Sequence, residues 1–535
     1  MLSLLQQIEL TKTGILPALI SDYLSQKDSI SFLSKYPFEF SSFKNVIADK
    51  AKDNTDRKLL VEVLQSQYSN ISTTDSVSKN IESLLSENTF TVVAAHQPCL
   101  FMGPLYNIYK IACAIQITQR LKREYLDYNF VPVFWLGTED HDVEELNHAF
   151  INGKKVEWAN PGTGASGRWK TFSMHTAVEE LKSISVNPEI ISILEEGLKK
   201  CETFGKFTQY FVNEIFKEHG LVVLDGDDAR LKKKFSAVIK EEVLNSRAVE
   251  VLKENVEFLE TNYKAQAKPR DINFFYLGEN YRERIVFNST SQKFEVNNTS
   301  VPFSRDEIIS EIENHPERFS PNVIYRPLYQ EMILPNLAFV GGAGELSYWL
   351  ELKPLFDHYK VNYPMQVMRN SAAIINASVQ KKLEKLNLKA EDFFGDLEQL
   401  INRYVQQNLP AGQAGMNVDS NLADEKKKLE ELFDFILKKA EASDVTLKQS
   451  ATGEKQKAIS ALENLEAKML KAEKRKQETA VNQIRSINAA LFPDGVLQER
   501  RENFIPYYTT DFISEIISNS DSFKKSFLFY LNDKV

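Results

Sequence analysis

Four times along the chain, a short continuous apolar run without helical period gives way to a polar or glycine-rich loop and then to a helix-like stretch. The first run, Phe90–Ala95, leads through His96-Gln97-Pro98 and Gly103-Pro104 into Leu105, Ile108, Ile111, Ala112, Ile115 and Leu121 at helical spacing. The second, Phe130–Gly137, ends in Thr138-Glu139-Asp140-His141-Asp142. Leu221–Leu224 runs into Asp225-Gly226-Asp227-Asp228, and Leu337–Val340 into Gly341-Gly342-Ala343-Gly344-Glu345. Strands buried on both faces lack alternation, and parallel neighbours need helical crossovers. The repeat therefore predicts an α/β chain built on a doubly wound parallel sheet. Pro104 suits the first position of the first crossover helix. Ligands of such sheets bind at the C-terminal strand ends, where all four polar loops fall.

Around this core, the pattern predicts a helical lead-in over residues 1–88 and a core over 89–375, with insertions at about 150–220 and 265–335. The second insertion carries strand-like pieces at Phe274–Leu277 and Glu283–Phe287. A helical segment follows over 376–492, and from about Asn421 to Leu491 the composition turns to Lys, Glu, Ala, Leu and Gln. Leu422, Leu429, Leu432 and Ile436 form one seam; Leu462, Leu465, Met469 and Ala472, then Ile484, Ile487 and Leu491, form another. These predict a long antiparallel coiled-coil arm, whose second helix, from about Gly453 to Pro493, spans roughly 60 Å. Dimerisation is the favoured use of such an arm; packing within the chain is the alternative. The aromatic tail over 493–535, with Phe504, Tyr507, Tyr508, Phe512, Phe527, Phe529 and Tyr530, is expected to pack on the core.

Composition narrows the class without changing this picture. Hydrophobic residues at 43% and charged ones at 26% are ordinary for a globular chain. A net charge of −9 opposes a phosphate backbone, so no nucleic-acid partner is expected. Cys99, Cys113 and Cys201 fit neither a zinc pattern nor a disulfide framework, which suggests a reducing compartment. The sequence lacks an apolar run of about 18 residues and its start does not read as a signal peptide, so no membrane partner is expected and the expected location is cytoplasmic.

Candidate chemistry clusters in the strand-end loops. A helix N-terminus stabilises anions, so His96, Gln97, Gly103 and Asn107 read as an anion site, with His96 as an added proton donor. The bland alternative is that His96 and Gln97 satisfy loop backbone groups; Lys110 either reaches the same anion or is solvated. In Thr138–His148, Thr138 is a plausible N-cap and the acids suit a first helical turn. His141 is not explained that way: between Asp140 and Asp142 it suits acid–base work, or the acids suit a substrate ammonium, with Glu139 and Asn147 beside them. Two groups in one turn are not a coordination sphere, so no metal is assigned. Gly341, Gly342 and Gly344 allow close backbone approach, and Glu345, Tyr348 and Trp349 add a charge and stacking surfaces; a tight turn is the alternative. Arg326, near Gln330, and Arg369 are candidate carboxylate or phosphate clamps. Cys99 and Cys113 read as small packing residues.

Together these residues resemble the BshC family, the cysteine ligases assigned to bacillithiol synthesis. The resemblance rests on His96-Gln97-Pro98, Gly103-Pro104-Leu105-Tyr106, Pro132-Val133-Phe134-Trp135, Glu139-Asp140-His141-Asp142-Glu144-Asn147, Arg326-Pro327-Leu328-Gln330 and Gly341-Gly342-Ala343-Gly344-Glu345-Tyr348-Trp349. It covers nearly the whole chain, and Glu-Asp-His-Asp is its most specific piece. It implies a nucleotidyltransferase-like Rossmann core with connecting-peptide insertions and a homodimer through the coiled coil. The implied activity joins L-cysteine to glucosaminyl malate by an amide bond. In that reading Gln97–Asn107 and Gly341–Gly344 cradle anionic groups, Asp140 and Asp142 bind an ammonium or orient His141, and Arg326 and Arg369 hold a malyl carboxylate. ATP is the activating donor by analogy only, because the chain has neither a His-x-Gly-His tetrad nor a Lys-Met-Ser-Lys-Ser-like loop. Alternatives are a nucleotide-binding scaffold recruiting a partner through its coiled coil, or a nucleotidyltransferase acting on another small molecule.

Overall fold

The computed structural model describes residues 2–184, 187–408 and 422–533. The chain forms two compact units: Met1–Asn376 together with Val496–Val535, and Ala377–Gly495.

The predicted parallel sheet is the centre of the first unit. Its five strands, Thr89–His96, Asn129–Leu136, Val222–Asp225, Asn336–Gly341 and Met365–Met368, are all parallel to their neighbours. Numbered in chain order they lie 3-2-1-4-5, the Rossmann order. One row across the sheet reads Gln366, Phe339, Val93, Val133, Val222, every member essentially solvent-free. That double burial is why the strands show no polar alternation. The order reverses between Thr89–His96 and Asn336–Gly341, which opens a crevice at their C-terminal ends.

The crossover after the first strand is the helix Tyr106–Glu124, packed on the first two strands through Ile108, Ile111, Ala112 and Ile115. It starts two residues after Pro104, because Phe101, Met102 and Gly103 take positive φ and fold the loop into a tight turn first. The second insertion forms an antiparallel sheet ordered Pro302–Phe303, Lys293–Val296, Arg282–Asn288, Phe274–Leu277, Phe319–Pro321.

The expected helical lead-in contains helices such as Arg57–Gln67 and Asp75–Ser83, but it begins with a strand. Leu2–Glu9 pairs antiparallel with Ser526–Asn532, which pairs parallel with Ser371–Asn376. Phe504, Phe512 and Phe527 of the tail are buried in this unit.

In the second unit, Ala423–Ser443 and Leu447–Lys476 form an antiparallel hairpin: Lys426 pairs with Glu463 and Asp434 with Lys455, so the registers run in opposite directions. The expected start of the arm at Asn421 lies outside the described residues. The second helix begins before Gly453 and breaks at Gln477, after which Glu478–Leu491 continues as a separate helix. Its length is therefore roughly 45 Å rather than 60 Å.

Candidate active site

The crevice at the strand-order reversal encloses about 620 Å³. The strand ends of the parallel sheet contribute His96, Gln97, Glu139 and Asp140, and the helices flanking its strand Asn336–Gly341 contribute Arg326, Glu345 and Tyr348. The inserted sheet and the loop before it form the facing wall with Arg270, Phe275, Arg282 and Arg284. The acidic-histidine loop and the glycine turn thus lead to the same cavity, which carboxylates and guanidiniums both line.

On the acidic side, Lys110 is fully buried. It donates to Ala95 O (3.1 Å) and pairs with Glu345 Oε2 (2.6 Å). Burial raises the Glu345 carboxyl, but Lys110 and the Gly342 N–H more than offset it, leaving it below the usual carboxylate range. Asp140 behaves alike: burial raises it, while His141 and the Arg282 charge bring it below its ordinary value. The His141 N–H donates to Asp140 Oδ1 at 2.7 Å. Gln97 Nε2 donates to Glu145 Oε2 (3.2 Å). Glu139 pairs with the buried Lys232, which also donates to Phe319 O and so ties the strand end to the insertion.

On the basic side, Arg282 is splinted on three sides. Its Nε donates to Ser320 Oγ (3.0 Å), Nη2 to Pro321 O (3.2 Å) and Nη1 to His141 Nδ1 (3.3 Å), and its plane lies 4.0 Å over the Phe275 ring. A guanidinium can only donate, so His141 Nδ1 accepts in this arrangement. Arg326 donates to Gln330 Oε1 at 3.0 Å. Arg282 and Arg284, two apart on one strand, face the same side. That spacing was the available sequence signal for two residues that the motif reading missed; Arg270 carries no such signal.

Several expected site residues do not reach the cavity. Arg369 forms a buried two-pronged pair with Glu499 (2.8 and 3.0 Å), because a guanidinium at 4% exposure requires a compensating charge. It is thereby removed from the substrate-clamp role. Trp349 stacks on Phe339 in the core, with centroids 4.3 Å apart, and Gln330 is fully buried. Asn107 donates to Met102 O, and Asn147 reaches Glu157 and Trp158 O. Asp142 caps the short helix Val143–Leu146 by accepting from Glu144 and Glu145 N–H. That capping role had been expected of Thr138, whose hydroxyl instead donates to Asp225 Oδ1.

The anion cradle assigned to His96, Gly103, Gly341, Gly342 and Gly344 also takes a different form. Burial first, and Lys110 second, push His96 down to about 4, so it is neutral near pH 7. A carbonyl can only accept, so His96 Nδ1–H donates to Gln97 O and Nε2 accepts from the Tyr106 hydroxyl. No proton remains for an anion. Gly103 has φ +64 and packs on Cys99, as a turn residue does. The glycine turn opens the helix Ala343–Glu351, but Glu345 occupies the Gly342 N–H and brings a negative charge there. A polyphosphate therefore does not fit the glycine turn; Arg270, Arg282 and Arg284 fit one. Among the described residues, no three His, Cys, Asp or Glu side chains converge to hold a metal ion.

The family profile described as "Bacillithiol biosynthesis BshC, N-terminal Rossmann-like domain" matches residues 4–370, and the "C-terminal coiled-coil domain" profile of the same family matches 372–530. A relative from Flavobacterium johnsoniae, named "Putative cysteine ligase BshC", is 40% identical over 93% of each chain. Proteins with the same name from Christiangramia forsetii and Bacillus cytotoxicus are 38% and 28% identical, over 97% and 95% of this chain and 98% and 96% of their own. Among the described residues no helix is long and apolar enough to cross a membrane.

Proposed function

The chain belongs to the BshC family of bacillithiol biosynthesis, and from that membership we propose that it joins the carboxyl group of L-cysteine to the amine of glucosaminyl malate. The observation that carries the reading is that Glu139 and Asp140 share one crevice with Arg282 and Arg326. A dicarboxylate with an amine has complementary charges at its two ends. Arg282 and Arg326 hold the malyl carboxylates, and the acids hold ammonium groups.

Amide formation joins the cysteine carbonyl carbon to the amine nitrogen, expelling the activating group and a proton. ATP, when bound, would supply that activating group. Asp140, kept ionised, holds the ammonium, and His141 takes its proton as the acid–base group through Nε2, since Nδ1 is engaged by Arg282. The reaction takes place in the cytoplasm.

The proposal also makes the protein a homodimer through the hairpin arm, where Leu432, Phe435 and Leu465 are 54, 57 and 51% exposed. Light scattering of Leu432→Glu against the natural sequence tests this. The variant should lose the dimer, and an unchanged mass would remove this interface.

Calorimetry with glucosaminyl malate, cysteine and ATP in turn tests the activity. Binding of the first two supports a ligase, while a scaffold or another transferase ignores glucosaminyl malate. Asp140→Asn and His141→Ala should each abolish ligation with unfolding unchanged; retained turnover would refute their assigned roles.

A further inference from the structure

The segment between the helix Lys253–Asn262 and the strand Phe274–Leu277 forms part of the crevice's basic wall and has no regular secondary structure. Three of its backbone donors are taken up by side chains. The N–H groups of Gln266 and Ala267 both donate to the Glu351 carboxyl, the latter at 3.1 Å to Oε2. At the other end, Asn273 accepts from Arg270 N–H (3.1 Å) and donates to Arg270 O and to Glu242 Oε1 (both 2.6 Å). Glu242 is anchored in turn by Tyr325 Oη and Ala248 N. Between these two clasps lies the stretch that brings Lys268 and Arg270 to the cavity.

Glu351 is 0% exposed and is the last residue of the helix Ala343–Glu351, whose first turn places Glu345 in the same cavity. A carboxyl at a helix C-terminus opposes the helix dipole, and a buried one loses its hydration. Neither helix formation nor packing accounts for an acid there. Two converging backbone N–H groups do. Burial pushes this carboxyl up to about 7, against the pull of the Gln266 and Ala267 N–H groups in the opposite direction.

We propose that Glu351 is a positioning residue: it clasps Gln266 and Ala267 so that the following stretch presents Arg270 to the anionic end of the substrate, while Glu242 and Asn273 fix the far end. One helix thereby sets the separation between the acidic and basic walls. The functional half of this inference rests on the substrate reading above; the clasp itself does not.

Hydrogen exchange of the full chain tests it. In the natural sequence the Gln266 and Ala267 amides should exchange at least about tenfold more slowly than the neighbouring loop amides Ala265 and Asp271. Glu351→Leu should erase that protection and weaken glucosaminyl malate binding about tenfold, leaving cysteine binding and exchange in Thr89–His96 unchanged. Glu351→Gln, which keeps one carbonyl acceptor, should fall between. Unprotected Gln266 and Ala267 amides in the natural sequence would overturn the proposal even if the leucine variant failed to fold, as would a leucine variant with unchanged loop exchange. Protected amides in a protein that ignores glucosaminyl malate would uphold the clasp and refute the substrate reading.

Discussion

Arg282 shows what decides whether a charged side chain belongs to a site. Its aliphatic and planar parts are fixed by Phe275, Ser320 and Pro321, so its charge faces Asp140 and His141 with little freedom left to lose on binding. Arg282→Lys keeps the charge but loses the planar fork. It should weaken glucosaminyl malate binding by about tenfold, equivalent to ~1.4 kcal/mol, with cysteine binding unchanged; titration calorimetry checks this. Glu139 and Asp140 were legible as residues of the strand-end crevice because their loop follows a continuous apolar strand. Arg369 was misread because its partner, Glu499, is 130 positions away and no local pattern announces it. His96 was legible as a residue of the strand-end crevice, but its tautomer depends on Tyr106 and Gln97 O, which only the folded loop brings to it.

At the level of elements, four core strands could be read because burial on both faces leaves continuous apolar runs. The fifth, Met365–Met368, is four residues long and looked like any short apolar stretch. The inserted sheet was legible only as two strand-like pieces, and its closure over the crevice was not, since antiparallel partners can fold to either side. The loop after the first strand carries its own constraint. Gly103 sits at φ 64°, ψ −148°, a region open essentially to glycine alone, and a Cβ there would lie 2.9 Å from Cys99 Cβ. Gly103→Ala should destabilise the protein by about 2–3 kcal/mol, read as a lower denaturant midpoint. A midpoint equal to that of the natural sequence would show that the turn relaxes.

For the molecule as a whole, buried carboxyls set the response to pH. Burial drives Asp225, Glu331 and Glu351 each up to about 7. A carboxyl raised on folding contributes its stability below its unfolded pKa of about 4.5, and loses it as pH rises through 7. Glu331→Gln removes one such group, so the variant should gain on the natural sequence between pH 5 and 8, by ~3 kcal/mol at most. Denaturant unfolding at the two pH values measures the change, and a constant gap would contradict it. The remaining unread feature was the strand Leu2–Glu9, whose partner Ser526–Asn532 lies at the far end of the sequence. This pairing has a consequence for biosynthesis. At about 5–20 residues per second, a ribosome needs roughly 25–100 s to make the intervening stretch. Until then the strand Leu2–Glu9 waits with its backbone open to other chains, so chaperone demand and aggregation should concentrate on it.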